Sequence, residues 1–325
     1  MDDLIAVPLL ILSATLRVAT PLILCAMGGL FSERAGIIDI GLEGKMLASA
    51  FAAAATAAVT GSAWAGLAAG IAAAVVVGLV HGFACITHHG NQVVSGMALN
   101  ITISGLTVVL GYAWFHEGGQ TPLLGPGARF APIELPGVSA LGAIPGLGLI
   151  YREVLSGHNL LVYIAAVAVP AVAWIVYRTR FGLRLRAVGE HPRAAETVGI
   201  AVRRTRYWAV LASGVLAALG GAYLSLSVAH SFTDGMTGGR GFIGLAAMIF
   251  GRWTPVGALV ASLIFGYGTA LSFSLQGASI GDVRVPVQLL STLPYILTIL
   301  AVAGFVGRSR PPAADGIPYE TEGHA

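Results

Sequence analysis

"PLILCAMGGLFSERAGIIDIGLEGKMLASAF", residues 21–51, ends one apolar helix and starts another within a few polar residues. The first helix runs past Gly28-Gly29 into Glu33 and Arg34. A glycine-containing hinge with Asp39 and Glu43 follows, and then a short apolar segment. "SGVLAALGGAYLSLSVAHSFTDGMTGGRGFIGLAAMIF", residues 213–250, repeats that order: a span near Gly-Gly, a polar hinge, a short apolar helix. If the two hinges lie on opposite sides of a bilayer, the pair forms an inverted repeat, a common plan among transporters.

Composition supports a bilayer. Of 325 residues, 56% are hydrophobic and 10% charged, against about a quarter charged in soluble domains. Apolar runs near the ~20 residues that cross a ~30 Å hydrocarbon core recur along the chain. Alternating segments of about 10 residues, the mark of a β-barrel, are absent. The fold class is therefore all-α and integral to the membrane, a polytopic bundle of about nine segments. These fall near 4–30, 43–60, 63–86, 92–114, 159–177, 207–229, 239–251, 255–275 and 286–306. The seventh is too short for an ordinary span. It is either a half-helix packed inside protein or a short tilted span, because irregular backbone cannot face lipid. Cys25 and Cys85 sit in apolar runs and read as small buried residues, and the N-terminus lacks the basic region of a cleaved leader.

Loop 178–206 holds eight arginines, which places it in the cytoplasm under the positive-inside rule. Arg308 and Arg310 put the C-terminus on the same side, and counting back puts the N-terminus outside. Segment 115–158 is then external. Residues 1–310 form the transmembrane domain, and the polar tail 311–325 is predicted to be disordered. Within the basic loop, Pro192 suits the first turn of a helix and Gly199 its end. Two turns are unstable alone in water, so this helix either docks on a partner or lies on the membrane surface.

Several phrases together resemble one family. "GEHPRAAETVGI" (189–200) resembles the coupling helix of ATP-binding-cassette (ABC) importer permeases of the branched-chain amino acid, sugar and nucleoside type. "GGLFSERAGIIDIGLEGKMLASAF", "GNQVVSGMALNITISGLT", "TGGRGFIGLAAMIFGRWTPVGALVASLIFGYG" and "LPYILTILAVAGFVGRSRPPAADGIPY" resemble the nucleoside-type subgroup, in the same order. The resemblance implies a type II-like ABC importer permease in a bacterial inner membrane. It implies a second permease subunit, identical or different, a cytoplasmic ABC ATPase and an extracytoplasmic substrate-binding protein, with no nucleic acid. It makes Gly189, Glu190, His191, Pro192, Arg193, Ala194, Ala195, Glu196 and Gly199 the ATPase contact. ATP and Mg then belong to the partner, since the single lysine, Lys45, lacks the spacing of a phosphate-binding loop.

Other residues are weighed against plainer roles. Asn91, Gln92, Ser95, Asn100, Thr102 and Ser104 offer hydrogen bonds to a polar solute such as a purine nucleoside, or hold helices together. Thr233 and Asp234, with Thr237 and Arg240, line an external mouth or simply solvate a loop. Glu33, Asp39 and Glu43, beside Arg34, form an inner gate with Gly238 and Gly239 in the second hinge, or a structural charge set. Asp39 and Glu43 share a face if that turn is helical. Phe51, Phe242, Phe250 and Tyr267 line the route or fill the core. His81, His88, His89 and His230 read as interfacial or loop residues, with no metal site. No nucleophile–base arrangement suggests an enzyme. A sugar permease, an ion-driven carrier and a non-transporting scaffold are the rival readings.

Overall fold

The computed structural model describes residues 2–136, 147–276, 279–280, 283–284, 286–292, 296, 299 and 310–320. Helix α1 spans Asp2–Arg34, α2 Leu42–Thr60, α3 Ala63–Gly82 and α4 Gln92–Phe115. After a long connecting segment come α5 (Leu160–Arg178), α6 (Arg180–Glu190), α7 (Pro192–Thr197) and α8 (Val202–Tyr223). Then follow α9 (Arg240–Phe250), α10 (Pro255–Ser274) and the short α11 (Val287–Ser291). π-helical turns extend α3 to Thr87 and α8 to Ala229. Among the described residues seven helices are long and apolar enough to cross a membrane, and α9 is a shorter apolar helix. The ninth expected segment, 286–306, and Arg308 lie largely outside the described residues.

Local chemistry sets the helix ends. Asn91 caps α4 through the Val94 amide, Thr179 caps α6 through Gly182, and Thr254 caps α10 through Gly257. Gly61 ends α2 with φ +68°, a left-handed geometry that costs glycine little. The segment between α4 and α5 is held by a two-stranded pairing of β1 (Pro132–Ile133) with β2 (His158–Asn159).

The inverted repeat is built around α1 and α8, which cross antiparallel. The Tyr223 hydroxyl donates to Arg17 O (2.9 Å), Gly220 faces Pro21, Gly28 faces Ser213, and Arg206 Nε donates to Ala35 O (3.1 Å). α2 and α3 pack together on α8, while α9 and α10 pack together on α1. Exchanging α1–α3 for α8–α10 preserves this pattern of neighbours. Close packing by small residues makes it possible: a Cβ on Gly221 would fall 2.0 Å from Met46 O. Apolar side chains gain nothing by leaving lipid for protein, so tight van der Waals contact and internal hydrogen bonds hold such bundles.

The structure corrects two expectations. The tail is not disordered where it is described: Ala314 and Tyr319 are 4% and 5% exposed. Tyr319 packs with Val188, Ala195 and Val202, and its ring lies under the Arg206 guanidinium at 5.8 Å. The polar composition conceals one aromatic anchor. His81 is not interfacial but fully buried, bonded through Nε2 to Ile38 O (3.1 Å) and through Nδ1 to Ser95 Oγ (3.0 Å).

Candidate functional site

The first hinge, residues 35–41, turns back from the end of α1 and climbs along α8. Gly36 lies beside Arg206, and Asp39 reaches Ser213, a climb of about 10 Å at 1.5 Å per residue. Gly36 has φ +85° and faces Ala314 O, where a Cβ would meet it at 2.8 Å. The hinge backbone is pinned by side chains of α4. Ile38 N–H donates to Gln92 Oε1 (2.7 Å), Gly44 N–H to Asn100 Oδ1 (2.8 Å), and Asn100 Nδ2 donates to Ile40 O (3.0 Å). Gly96 lets α4 approach, since a Cβ there would sit 2.8 Å from Gly41 N.

Inside the hinge is a fully buried ion pair. Lys45 Nζ lies 2.5 Å from Asp39 Oδ2, with both side chains 0% exposed. Ser213 Oγ donates to the same oxygen at 2.5 Å. The condition under which Asp39 and Glu43 would share a helix face is not met. α2 begins only at Leu42, and residues 35–41 are non-helical.

The second hinge, residues 230–239, runs from the far end of α8 back to the start of α2. Gly235, Gly238 and Gly239 all have positive φ. Its upper part is tied to the segment that follows α4, with Thr121 N–H donating to Phe232 O (3.1 Å) and Phe232 N–H to Thr121 Oγ1 (2.9 Å). Its lower end meets Glu43. Glu43 Oε1 accepts from Gly239 N–H (2.8 Å) and Oε2 from Gly241 N–H (2.7 Å). A Cβ on Gly241 would fall 2.6 Å from Glu43 Cα, so the starts of α2 and α9 touch. Glu43 lies in the first turn of α2 and also caps α9. One carboxylate therefore serves the unpaired amides and positive dipole ends of two helices.

At the other end of α9 the chain turns through Arg252 and Trp253, non-glycine residues with φ +57° and +52°. The Trp253 indole donates to Glu33 Oε2 (2.5 Å), and Arg34 donates to Trp253 O from Nε (2.9 Å) and Nη2 (2.6 Å). α9 is thus held to Glu43 at one end and to Glu33 and Arg34 at the other.

The basic loop forms α6 and α7, joined at His191. α7 starts at Pro192, and Gly199 (φ +82°) closes it, with Gly199 N–H donating to Glu196 O (2.8 Å) and Ile200 N–H to Ala195 O (3.0 Å). Ala195 is buried, whereas Arg193, Ala194 and Val198 are exposed. Gly189 abuts the end of α1, where a Cβ would lie 2.1 Å from Arg34 O. The tail completes this module. Ala314 N–H donates to Gly189 O (2.8 Å), Arg206 Nη1 to Ile317 O (3.2 Å), and the Tyr319 hydroxyl to Glu196.

The structure sorts the sequence-predicted residues. Gln92, Ser95 and Asn100 are engaged in holding the first hinge and α3, and Asn91 caps α4. Thr102 and Ser104 lie on the exposed face of α4, and Thr233, Asp234 and Gly238 on the exposed face of the second hinge. Phe51 is buried between Trp114 and Phe232, Phe250 stacks on Phe265, and Phe242 and Tyr267 are 40% and 44% exposed. Lys45, Ser213, Trp253, Arg206 and Tyr319 are site residues that sequence reasoning misses. A lone lysine inside an apolar segment is the available signal for the first of them. No group of three or more metal-ligating side chains occurs among the described residues.

Residues 11–302 match the family model described as branched-chain amino acid transport system / permease component. The chain is 39% identical to the guanosine ABC transporter permease protein NupQ of Bacillus subtilis, over 98% of each chain. It is 37% identical to the nucleoside ABC transporter permease protein NupC of Lactococcus lactis, over 95% of this chain and 96% of that one. A Haloferax volcanii permease provisionally named for glucose transport is 36% identical over 92% of each chain. With its multi-pass helical fold, the chain belongs to the branched-chain amino acid transport system permease family and is a permease subunit of the ABC importer type, not an enzyme.

Proposed function

We propose that this permease carries purine nucleosides inward, driven by ATP bound with Mg on a partner ATPase. The observation that carries the reading is the pair of opposed hinges meeting at Glu43, supported by full-length similarity to guanosine and nucleoside permeases. The solute arrives on an extracytoplasmic binding protein and passes between this chain and a second permease subunit. Thr102, Ser104, Thr233 and Asp234 offer it hydroxyl and carboxylate groups. Closure of the ATPases moves α7, which packs on α6 and the start of α8 while α6 abuts the end of α1 through Gly189, and the two halves rock about their hinges. In this scheme the N-terminus is outside and α7 and the tail are cytoplasmic, in a bacterial inner membrane.

Uptake of radiolabelled guanosine, adenosine and glucose into vesicles holding the full transporter tests the cargo. Guanosine or adenosine uptake that requires ATP is expected. The provisional glucose relative supports a second reading, and glucose uptake without nucleoside uptake would select it. Uptake by this chain without any ATPase would favour an ion-driven carrier.

A further inference from the structure

A cavity of about 360 Å³ opens at the end of the bundle remote from Arg34 and Arg206, a volume within the range of small-molecule sites. α1, the extension of α8, β2, Arg240 and Phe273 enclose it. Among the described residues, two guanidinium groups line it, Arg17 and Arg240, and no carboxylate does. Among those residues neither cation forms an ion pair. Arg17 Nη2 donates to Ser13 Oγ (3.2 Å), and Arg240 Nη1 to the carbonyls of Met236 (3.0 Å) and Thr237 (3.1 Å). Glu43 is within electrostatic reach of Arg240, but both its oxygens are held by the amides of Gly239 and Gly241. A guanidinium has five N–H groups, so both cations retain donor capacity.

The wall also contains polar atoms without partners among the described residues: His158 Nδ1, Asn159 Oδ1 and Ser227 Oγ. His158 is 3% exposed. Its Nε2 lies 2.9 Å from Val154 O, which assigns the proton to Nε2 and leaves Nδ1 an acceptor. Burial, and then the charge of Arg17, hold the His158 pKa below the usual histidine value, which favours the neutral ring. Cations beside unpaired acceptors complement an anion that also carries hydroxyl donors. Arg17 is 17 residues from Arg34, about 25 Å along α1. That is close to the far edge of a ~30 Å hydrocarbon core, where a long cationic side chain reaches headgroups. Val228 and Phe273, 55% and 56% exposed, add an apolar wall.

We propose that this cavity binds a hydroxylated phosphate of the phosphoglycerol type, with the phosphate between Arg17 and Arg240 and its hydroxyls donating to His158 and Asn159. The ligand is either the headgroup of an anionic phospholipid or free glycerol phosphate. The full-length protein, purified with the partners it retains, is placed in phosphatidylcholine nanodiscs containing increasing phosphatidylglycerol. Lipid retention is read by native mass spectrometry and the unfolding midpoint by fluorescence. Preferential retention of phosphatidylglycerol and a raised midpoint are expected. Arg17→Gln and Arg240→Gln should each weaken retention by at least about tenfold, and Arg152→Gln should not. Ser227→Leu fills the cavity without removing a charge and should also abolish retention. A midpoint raised by sn-glycerol 3-phosphate in pure phosphatidylcholine, and lost in Arg17→Gln, identifies the soluble source. The site is overturned if neither probe shifts the parent protein, or if folded Arg17→Gln and Ser227→Leu retain phosphatidylglycerol as the parent does.

Discussion

The two hinges occupy equivalent places in the repeat but are built differently. The first is fixed by side chains from three other helices: Gln92 and Asn100 on α4, His81 on α3 and Ser213 on α8. It also encloses a buried ion pair. The second relies on glycine geometry, one threonine, a carboxylate borrowed from the first turn of α2 and the Arg240 guanidinium, which holds the carbonyls of Met236 and Thr237. Thr233, Asp234, Gly235 and Gly238 within it are exposed. Few buried contacts and exposed backbone characterise segments that open at low cost. The first hinge is therefore suited to anchor and the second to move, with Glu43 as the joint between them.

The largest expected effect comes from breaking the anchor. Asp39→Ala leaves Lys45 buried without a counter-charge, a change that typically costs about 3–5 kcal/mol. Loss of folded protein from detergent extracts is expected, measured by size exclusion and thermal unfolding. Replacing both partners, Asp39→Asn with Lys45→Met, should restore most of the folded fraction. A double variant no better than Asp39→Ala would mean that the pair does more than neutralise itself.

A smaller effect is expected at the joint. Glu43→Gln keeps one acceptor for the amides at the start of α9 but loses the charge that faces two helix starts. Caps and dipole interactions of this kind are worth about 0.5–2 kcal/mol, too little to unfold the protein. Uptake should fall while expression and unfolding temperature stay near the parent values. An equal loss of both would make Glu43 a structural cap and remove the distinction between anchor and moving hinge.

Much of this contrast is legible in the sequence. The two Gly-Gly phrases, their polar hinges and the short segment after Gly239 mark the repeat, because spacing and composition are local properties. α9 is a half-helix for the reason its length suggests: 11 residues cannot span a bilayer. Which polar residue serves which hinge is not legible. Asn100 and Ile40 are 60 positions apart, and Glu43 and Gly239 are 196 apart. Pairings at that distance depend on how helices cross, which periodicity does not encode. Asp39 and Glu43 make a pair only if their turn is helical, and it is not. The tail escapes a sequence reading for a related reason: average polarity hides the burial of Tyr319, a contact made with α6, α7 and α8.

The module of α6, α7 and the tail extends the comparison to a pair of neighbouring alanines. Ala194 is exposed and Ala195 is packed among Val188, Val202 and Tyr319. Ala194→Trp should leave stability nearly unchanged but separate ATP hydrolysis from uptake, because it adds bulk only on the face open to a partner. Ala195→Trp should displace the tail and lower the unfolding temperature, since overpacking a core typically costs about 1–3 kcal/mol. Solute-stimulated ATPase activity and unfolding curves on both variants check this. Coupling that survives Ala194→Trp would place the ATPase contact elsewhere.

The smallest effect concerns the tail's own docking. Burial raises the pKa of Asp315 from 3.8 to about 7, an effect partly offset by the nearby Arg206 charge. The docked tail therefore binds this proton more tightly than a released tail does. The resulting stabilisation is complete below the unfolded value near 4 and is lost as pH rises through about 7. Limited proteolysis beyond Arg310 should accelerate between about pH 4 and pH 7, and Asp315→Asn should remove that dependence while keeping the tail docked. The Tyr319 hydroxyl, pushed up to about 12 by burial and by its bond to Glu196, stays protonated throughout and cannot supply the same pH response. A tail equally protected across that range in the parent protein would show that Arg206 neutralises Asp315 fully, and that this module, like the first hinge, is a fixed anchor.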